Sequence, residues 1–310
     1  MSERLAALSV DLDEIGCYAA IHGLAPPTEA AARAIYDKAL PRLSRLFDAA
    51  GVRATFFAIG DDLDAKNGAA LRALVEAGHE VANHSRSHLY DLTRRSREVV
   101  RDEVEGGADA IERATGVRPV GFRAPGYTIT DEVFGVLAEL GVAYDSSVFP
   151  CPAYYAPKVA AIQWIRLRGR RSRSIVDDPR VLSAPADPYR VGVPYWRRGD
   201  GVLELPIGVT RGARLPYIGT SVVLAGPRGA RALTRMIAGR PLVSLELHGI
   251  DLADAGEDGL GFLVPHQVDL RRSAAAKEAS LRAAIEGLRD AGYRFVTCAE
   301  AARAFGARGV

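Results

Sequence analysis

Cysteine is scarce in this 310-residue chain: Cys17, Cys151 and Cys298 stand far apart and are odd in number. Without a C-x-x-C pair, neither a disulfide framework nor a thiolate zinc site is supported, and the three read as reduced thiols. An excess of one charge is missing too. The net charge is +2, which supplies no global field for nucleic acid, so no nucleic-acid partner is expected. No run approaches the roughly 20 apolar residues of a membrane span. The opening "MSERLAALSVDLDE" offers six small and apolar residues before it meets acid, too few for a secretory signal, and the chain reads as cytoplasmic. Neither a G-x-S-x-G elbow nor a G-x-x-x-x-G-K-S/T loop occurs, which removes the serine-hydrolase and phosphate-loop readings. Histidine is rare, six in all, yet two of the six sit four apart in "NHSRSHLYDL".

What is present is ample apolar material, 48% of residues, arranged in a regular alternation. "LAALSVDLD" reads as a strand, followed by a helix from Thr28 to Ala50 that stops at Gly51. "RATFFAIG", "HEVANH", "PVGFRAPG" and "VAYDSS" are further strands, separated by helices over "AALRALVEAG", Ser96 to Thr115 and "DEVFGVLAELG". Strand–helix alternation at this spacing implies parallel strands joined by crossover helices, an α/β fold. Residues 148–202, rich in Pro, Tyr and Arg, break the rhythm and read as an irregular insertion or lid. The pattern then resumes with "GVLELPIG", a helix near 227–239, the strand "PLVSLELHG", a loop at 249–272, a helix at 273–291 and the strand "YRFVTC". Residues 1–310 read as one catalytic domain.

In parallel α/β folds reactive groups gather at the C-terminal ends of strands, and four polar signatures lie there. Asp11 and Asp13 close the first strand; two apart, they point to one face. His84 and His88 follow the third strand, and at i, i+4 on a helix or tight turn they can share a metal ion. Arg123 follows the fourth strand, and His248 ends "VSLELH". His22 and His266 fall in loops and read as bystanders, while His79 reads as structural.

These motifs in this order resemble the polysaccharide deacetylases, the NodB-type carbohydrate N-deacetylases of carbohydrate esterase family four. The resemblance rests on Asp11 and Asp13, on "HSRSH", on "RAPG" and on "LELHG", and covers roughly residues 5–300. It implies a distorted (β/α) barrel of about seven parallel strands. It also implies a divalent metal held by Asp13, His84 and His88, with Zn2+ the best fit to mixed nitrogen and oxygen ligands and Co2+, Ni2+ or Fe2+ also suitable. A leucine separates the two aspartates and Glu14 follows, so Glu14 is an alternative ligand to Asp13. On the family pattern Asp11 is the base that takes a proton from the attacking water, supported by Arg123. A backbone N–H of Gly126 or Tyr127 stabilises the oxyanion, and His248 protonates the departing amine. A carboxylate that raises the pKa of His248 is then required, with Asp145 and Asp251 as candidates.

The expected reaction is hydrolysis of an N-acetyl or other N-acyl group from an amino sugar. That sugar is part of a polysaccharide or is linked to a lipid or nucleotide. A small cytosolic amide, formamide or ureide is the alternative substrate, and an inactive sugar-binding module is the alternative from another class. Within residues 154–173, Tyr154, Tyr155, Ile162, Trp164 and Ile165 accompany Arg166, Arg168, Arg170, Arg171 and Arg173. That combination suits either peripheral contact with an anionic membrane or a sugar phosphate; the plainer reading is an exposed basic loop.

Overall fold

The computed structural model describes residues 3–309. Among the described residues the chain forms β1 (Leu5–Asp11), α1 (Ile15–Ile21), α2 (Glu29–Ala32), α3 (Leu40–Ala50), β2 (Thr55–Ala58), α4 (Ala65–Glu76), β3 (Glu80–Asn83), α5 (Arg97–Thr115), β4 (Gly121–Phe122), α6 (Asp131–Glu139) and β5 (Tyr144–Asp145). It continues through α7 (Pro152–Leu167), β6 (Tyr189–Val191), β7 (Arg198–Glu204), α8 (Gly219–Ile237), β8 (Leu242–His248), α9 (Ala274–Asp290), β9 (Arg294–Val296) and α10 (Cys298–Gly306). The strands make one sheet in the order β6-β7-β5-β4-β3-β2-β1-β8, with β9 added to β1. The seven strands from β7 to β8 run parallel, and only β6 is antiparallel. The sheet curls into a half-barrel ringed by helices, the (β/α) architecture expected.

Strand parity sorts the chain into two faces. Ala6, Leu8 and Val10 of β1, with Val243, Leu245 and Leu247 of β8, pack outward against apolar residues of α3, α8 and α9. Leu5 and Ala7, with Phe57, Ala82, Tyr144, Leu203 and Leu242, point inward and meet α10. That terminal helix fills the N-terminal end of the half-barrel, so the inward positions left at the strands' C-terminal ends are Ser9, Asp11, Glu246 and His248.

Local chemistry explains the helix ends. Thr28, Asp64, Thr130 and Ser273 each accept a backbone N–H with the side chain at the starts of α2, α4, α6 and α9. Gly51 and Gly116 close α3 and α5 in the left-handed conformation, φ +61° and +78°. Three expectations need correction. The single helix over Thr28–Ala50 is broken into α2, a π-helical turn at Ile35–Ala39 and α3. The helix near 227–239 begins at Gly219 and is interrupted at Gly226. Residues 148–202 are irregular only in part: they hold the 16-residue α7, all of β6 and part of β7, which extends the sheet beyond β5, with irregular chain around 168–178. Helix α7 starts at Pro152, where a missing N–H costs nothing, and buries no residue.

Candidate metal centre

Asp13 leaves the end of β1 and meets both histidines of "HSRSH". His84 Nε2 lies 3.3 Å and His88 Nε2 3.4 Å from the same oxygen, Asp13 Oδ1. Ligand atoms about 2.0–2.2 Å from a tetrahedral ion stand about 3.3–3.6 Å apart, so these separations match the edges of a coordination shell. Both His88 ring nitrogens and Asp13 Oδ1 are buried without a hydrogen-bond partner, an arrangement that costs free energy unless something else satisfies them. Burial drops the His88 pKa to about 4 despite nearby Asp13, leaving a neutral imidazole with a lone pair to give. His84 Nδ1 lies 2.8 Å from the Arg123 carbonyl, which turns Nε2 toward Asp13. The donor set therefore fits a divalent metal.

The two histidines converge through a strained turn, with no helix. Ser85 and His88 both have positive φ, +68° and +55°. Helix α5 braces this turn. Glu103 accepts from the Ser87 N–H at 2.9 Å and the Ser87 hydroxyl at 2.6 Å, and Asn83 donates to the Val104 carbonyl. Gly107 lets the helix approach closely, since a Cβ there would stand 2.4 Å from Asn83 Oδ1 and 2.8 Å from the Ser85 carbonyl carbon.

Beside this cluster sits a second one. Asp11 Oδ1 accepts from Arg123 Nη1 at 2.5 Å, both groups fully buried. The rest of the guanidinium donates to the Ser146 carbonyl, to Ser146 Oγ and to Ser9 Oγ, and its plane lies 4.0 Å over Phe57. Burial raises the Asp11 pKa, while Arg123 and His84 oppose the rise. Asp11 and His248 are direct partners in the β1–β8 ladder. His248 Nδ1 lies 3.0 Å from Glu246 Oε1, and its Nε2 lies 4.0 Å from Asp13 Oδ2. Burial would lower the His248 pKa, but Glu246, with Asp13 and Asp11, lifts it well above the ordinary value.

Glu246 thus occupies the place foreseen for Asp145 or Asp251. Asp145 lies on the opposite face of β5 from Tyr144 and Ser146, where it holds the Ser147 N–H and hydroxyl and faces Glu204 across the ladder. Asp251 accepts the backbone N–H of His248 at 2.9 Å and does not touch the ring. Glu14 is not at the metal cluster either: its carboxylate accepts the N–H groups of Ile35 and Tyr36. The Tyr127 N–H is committed to the Ala124 carbonyl at 3.2 Å, which removes it as an oxyanion donor; its phenol lies 3.3 Å from His248 Nε2. Gly126, in the left-handed region at φ +63°, lines the cavity above the cluster with Tyr127. His79 accepts the Ala54 N–H within the core, and His22 pairs with Gln267.

The polysaccharide deacetylase family model matches residues 34–144. A peptidoglycan deacetylase of Helicobacter pylori is 26% identical over 148 residues, 47% of this chain and 50% of that protein. A peptidoglycan-N-acetylglucosamine deacetylase of Bacillus cereus is 34% identical over 88 residues, 28% of this chain and 40% of that protein. The matched region spans about half or less of these relatives. Among solved structures, one from Mycobacterium smegmatis with a polysaccharide deacetylase assignment superimposes with a TM-score of 0.59 at 19% identity, covering 100% of this chain and 92% of that one. A CE4-family pseudoenzyme from Bacillus anthracis gives 0.52 at 15% identity, covering 96% of this chain and 65% of that one. At such identities the structures speak for the fold alone. The chain is thus similar to the polysaccharide deacetylases in sequence over residues 34–144 and in fold over its whole length.

Proposed function

We propose that this chain is a metal-dependent hydrolase that removes an N-acyl group from an amino sugar. The observation that carries the reading is the convergence of Asp13, His84 and His88 on one point, with buried atoms left unpartnered beside a carboxylate and an imidazole. Asp13, His84 and His88 would hold the divalent ion. Once bound, such an ion polarises the amide carbonyl and makes water more acidic; Zn2+ suits the donors best, and Co2+, Ni2+ and Fe2+ fit them as well.

The chain's own groups account for the proton traffic. Asp11, fixed by Arg123, accepts the proton of the water that attacks the carbonyl carbon. His248 stands one strand away, its imidazolium stabilised by Glu246, and gives a proton to the nitrogen as the carbon–nitrogen bond breaks. The products are a carboxylate and a free amine. Arg123 uses its whole guanidinium on Asp11, Ser146 and Ser9. It therefore orients the base and leaves substrate binding to other groups.

The test is acid release from a panel of N-acetyl and N-formyl amino sugars by metal-loaded protein, with and without chelator. Wild type is expected to turn over at least one of them, and Asp11→Asn to bind metal with little turnover. Equal rates for the two proteins would remove Asp11 as the base. Metal bound without turnover of any panel member would favour a binding module of the pseudoenzyme kind.

A further inference from the structure

The cavity above the metal cluster, about 180 Å³, does not end at the acyl site. It opens into a larger groove of about 440 Å³ that runs along α7, and the two share Ile21, Tyr154, Lys158, Ser174, Ile218, Thr220 and Gln267 as walls. The far part of the groove is mostly apolar, formed by Ala161, Ile162 and Ile165 of α7 facing Pro216 and Val268. Lys158 stands at the junction. Its ammonium donates one hydrogen bond, 2.8 Å to the Gly126 carbonyl, and as a three-donor group it has capacity for an anion. The segment after α7 carries Arg168, Arg170, Arg171 and Arg173 back against the end of α1, where the Arg173 N–H meets the Ala20 carbonyl. Asp269 also borders the groove, but it faces Lys277 at 3.5 Å. The sequence of environments outward from the candidate metal ligands is therefore a small cavity, a cation and a mostly apolar channel.

Resting on the deacylase reading above, we propose that the substrate is an amino sugar joined through a phosphate to an apolar chain, with the phosphate on Lys158 and the chain in the α7 groove. A polymer of sugars would present hydroxyls to Ile162 and Ile165, and a nucleotide would set its polar base and ribose against the same apolar wall, with Tyr154, His22, His266 and Gln267 among the aromatic and polar groups bordering the groove. A phosphate-linked lipid satisfies the cation and the apolar wall together. Trp164 and Leu167, 57% and 82% exposed, continue the apolar surface outward at the open end of the helix.

The experiment compares three substrates with metal-loaded protein: a free N-acyl hexosamine, its 1-phosphate, and the dodecyl ester of that phosphate. kcat/KM is expected to rise on the order of tenfold at each step, the size of one charge-assisted hydrogen bond and of a few buried methylenes. Lys158→Gln should shrink the ratio between phosphate and free sugar. Ile162→Asp and, separately, Ile165→Asp should shrink the ratio between ester and phosphate; α7 buries no residue, so these variants are expected to fold. A flat series, unmoved ratios, or a nucleotide diphosphate sugar that outperforms the ester would overturn the proposal. Binding of dodecyl phosphate, measured by calorimetry, separates this from the fate of the deacylase reading. If no sugar is turned over, that reading fails, yet binding abolished by Lys158→Gln upholds the groove assignment. No binding by wild type overturns it.

Discussion

The two sides of the candidate site's mouth are built on opposite terms. On the sheet side, Asp11, Arg123, His84 and His88 are buried and tied to strands, to each other or to α5. On the α7 side, a 16-residue helix has no fully buried residue; Tyr154 and Tyr155 pack half-buried on the core, and its inward ties include Lys158 to the Gly126 carbonyl and Tyr155 to the Asp177 carbonyl. One side holds the candidate reacting groups in a buried, hydrogen-bonded frame, and the other lays a surface beside them. Changes on the sheet side should abolish turnover, and changes on the α7 side should alter which molecule is chosen.

The sharpest way to break the contrast is to remove a ligand. His88→Ala or Asp13→Ala should cost the metal and, with it, a thousandfold or more in rate, about 4 kcal/mol or more of barrier; metal content and acid release measure both. If these variants keep full turnover, the sheet side is not where the chemistry happens. Glu246→Gln should come next, with kcat lowered on the order of a hundredfold. The sign of its pH effect follows from the raised His248 pKa. His248 must be protonated to act, and without the Glu246 charge it loses its proton at lower pH. The alkaline limb of the rate profile should therefore move toward lower pH, and a limb that stays in place would mean that Glu246 does not act on His248.

Smaller effects sharpen the same division. Gly107→Ala puts a methyl against the His turn, so metal affinity should fall about tenfold, with a stability loss of about 1–3 kcal/mol from overpacking. Calorimetric metal titration and a melting curve read the two separately. On the other side, Trp164→Ala and Leu167→Ala remove exposed apolar groups and should move stability by less than about 0.5 kcal/mol. A large loss would show that α7 is part of the folding unit after all.

Much of the reacting constellation is legible in the sequence because strands write their geometry with a period of two. Asp11, Asp13 and His248 lie at strand ends that are plain in the apolar pattern, and the structure brings them together with His84 and His88. The same rule, applied one step further, reaches Glu246, two residues before His248 on the inward face. It also excludes Asp145, which shares parity with neither Tyr144 nor Ser146. Glu103 and Gly107 carry no such mark, since their role depends on which loop α5 happens to cover. Glu14 shows the opposite difficulty: a carboxylate beside two others in sequence is spent on backbone N–H groups once the π-helical turn at Ile35 is in place. Helix α7 is hidden by Pro152 and Pro157 and by the lack of a buried stripe, because a helix that packs little needs no apolar periodicity.

Strand β1 is bonded to β2 and β9 along one edge and to β8 along the other. Two of those neighbours come from the far end of the chain, so the pairing of β1 is complete only when residues 242–296 are in place. A ribosome-bound fragment ending before β8 would carry Asp13, His84 and His88 but neither Glu246 nor His248. On the proposed reading, the proton donor and the carboxylate beside it are thus the last parts of the site to be made, after the three candidate metal ligands.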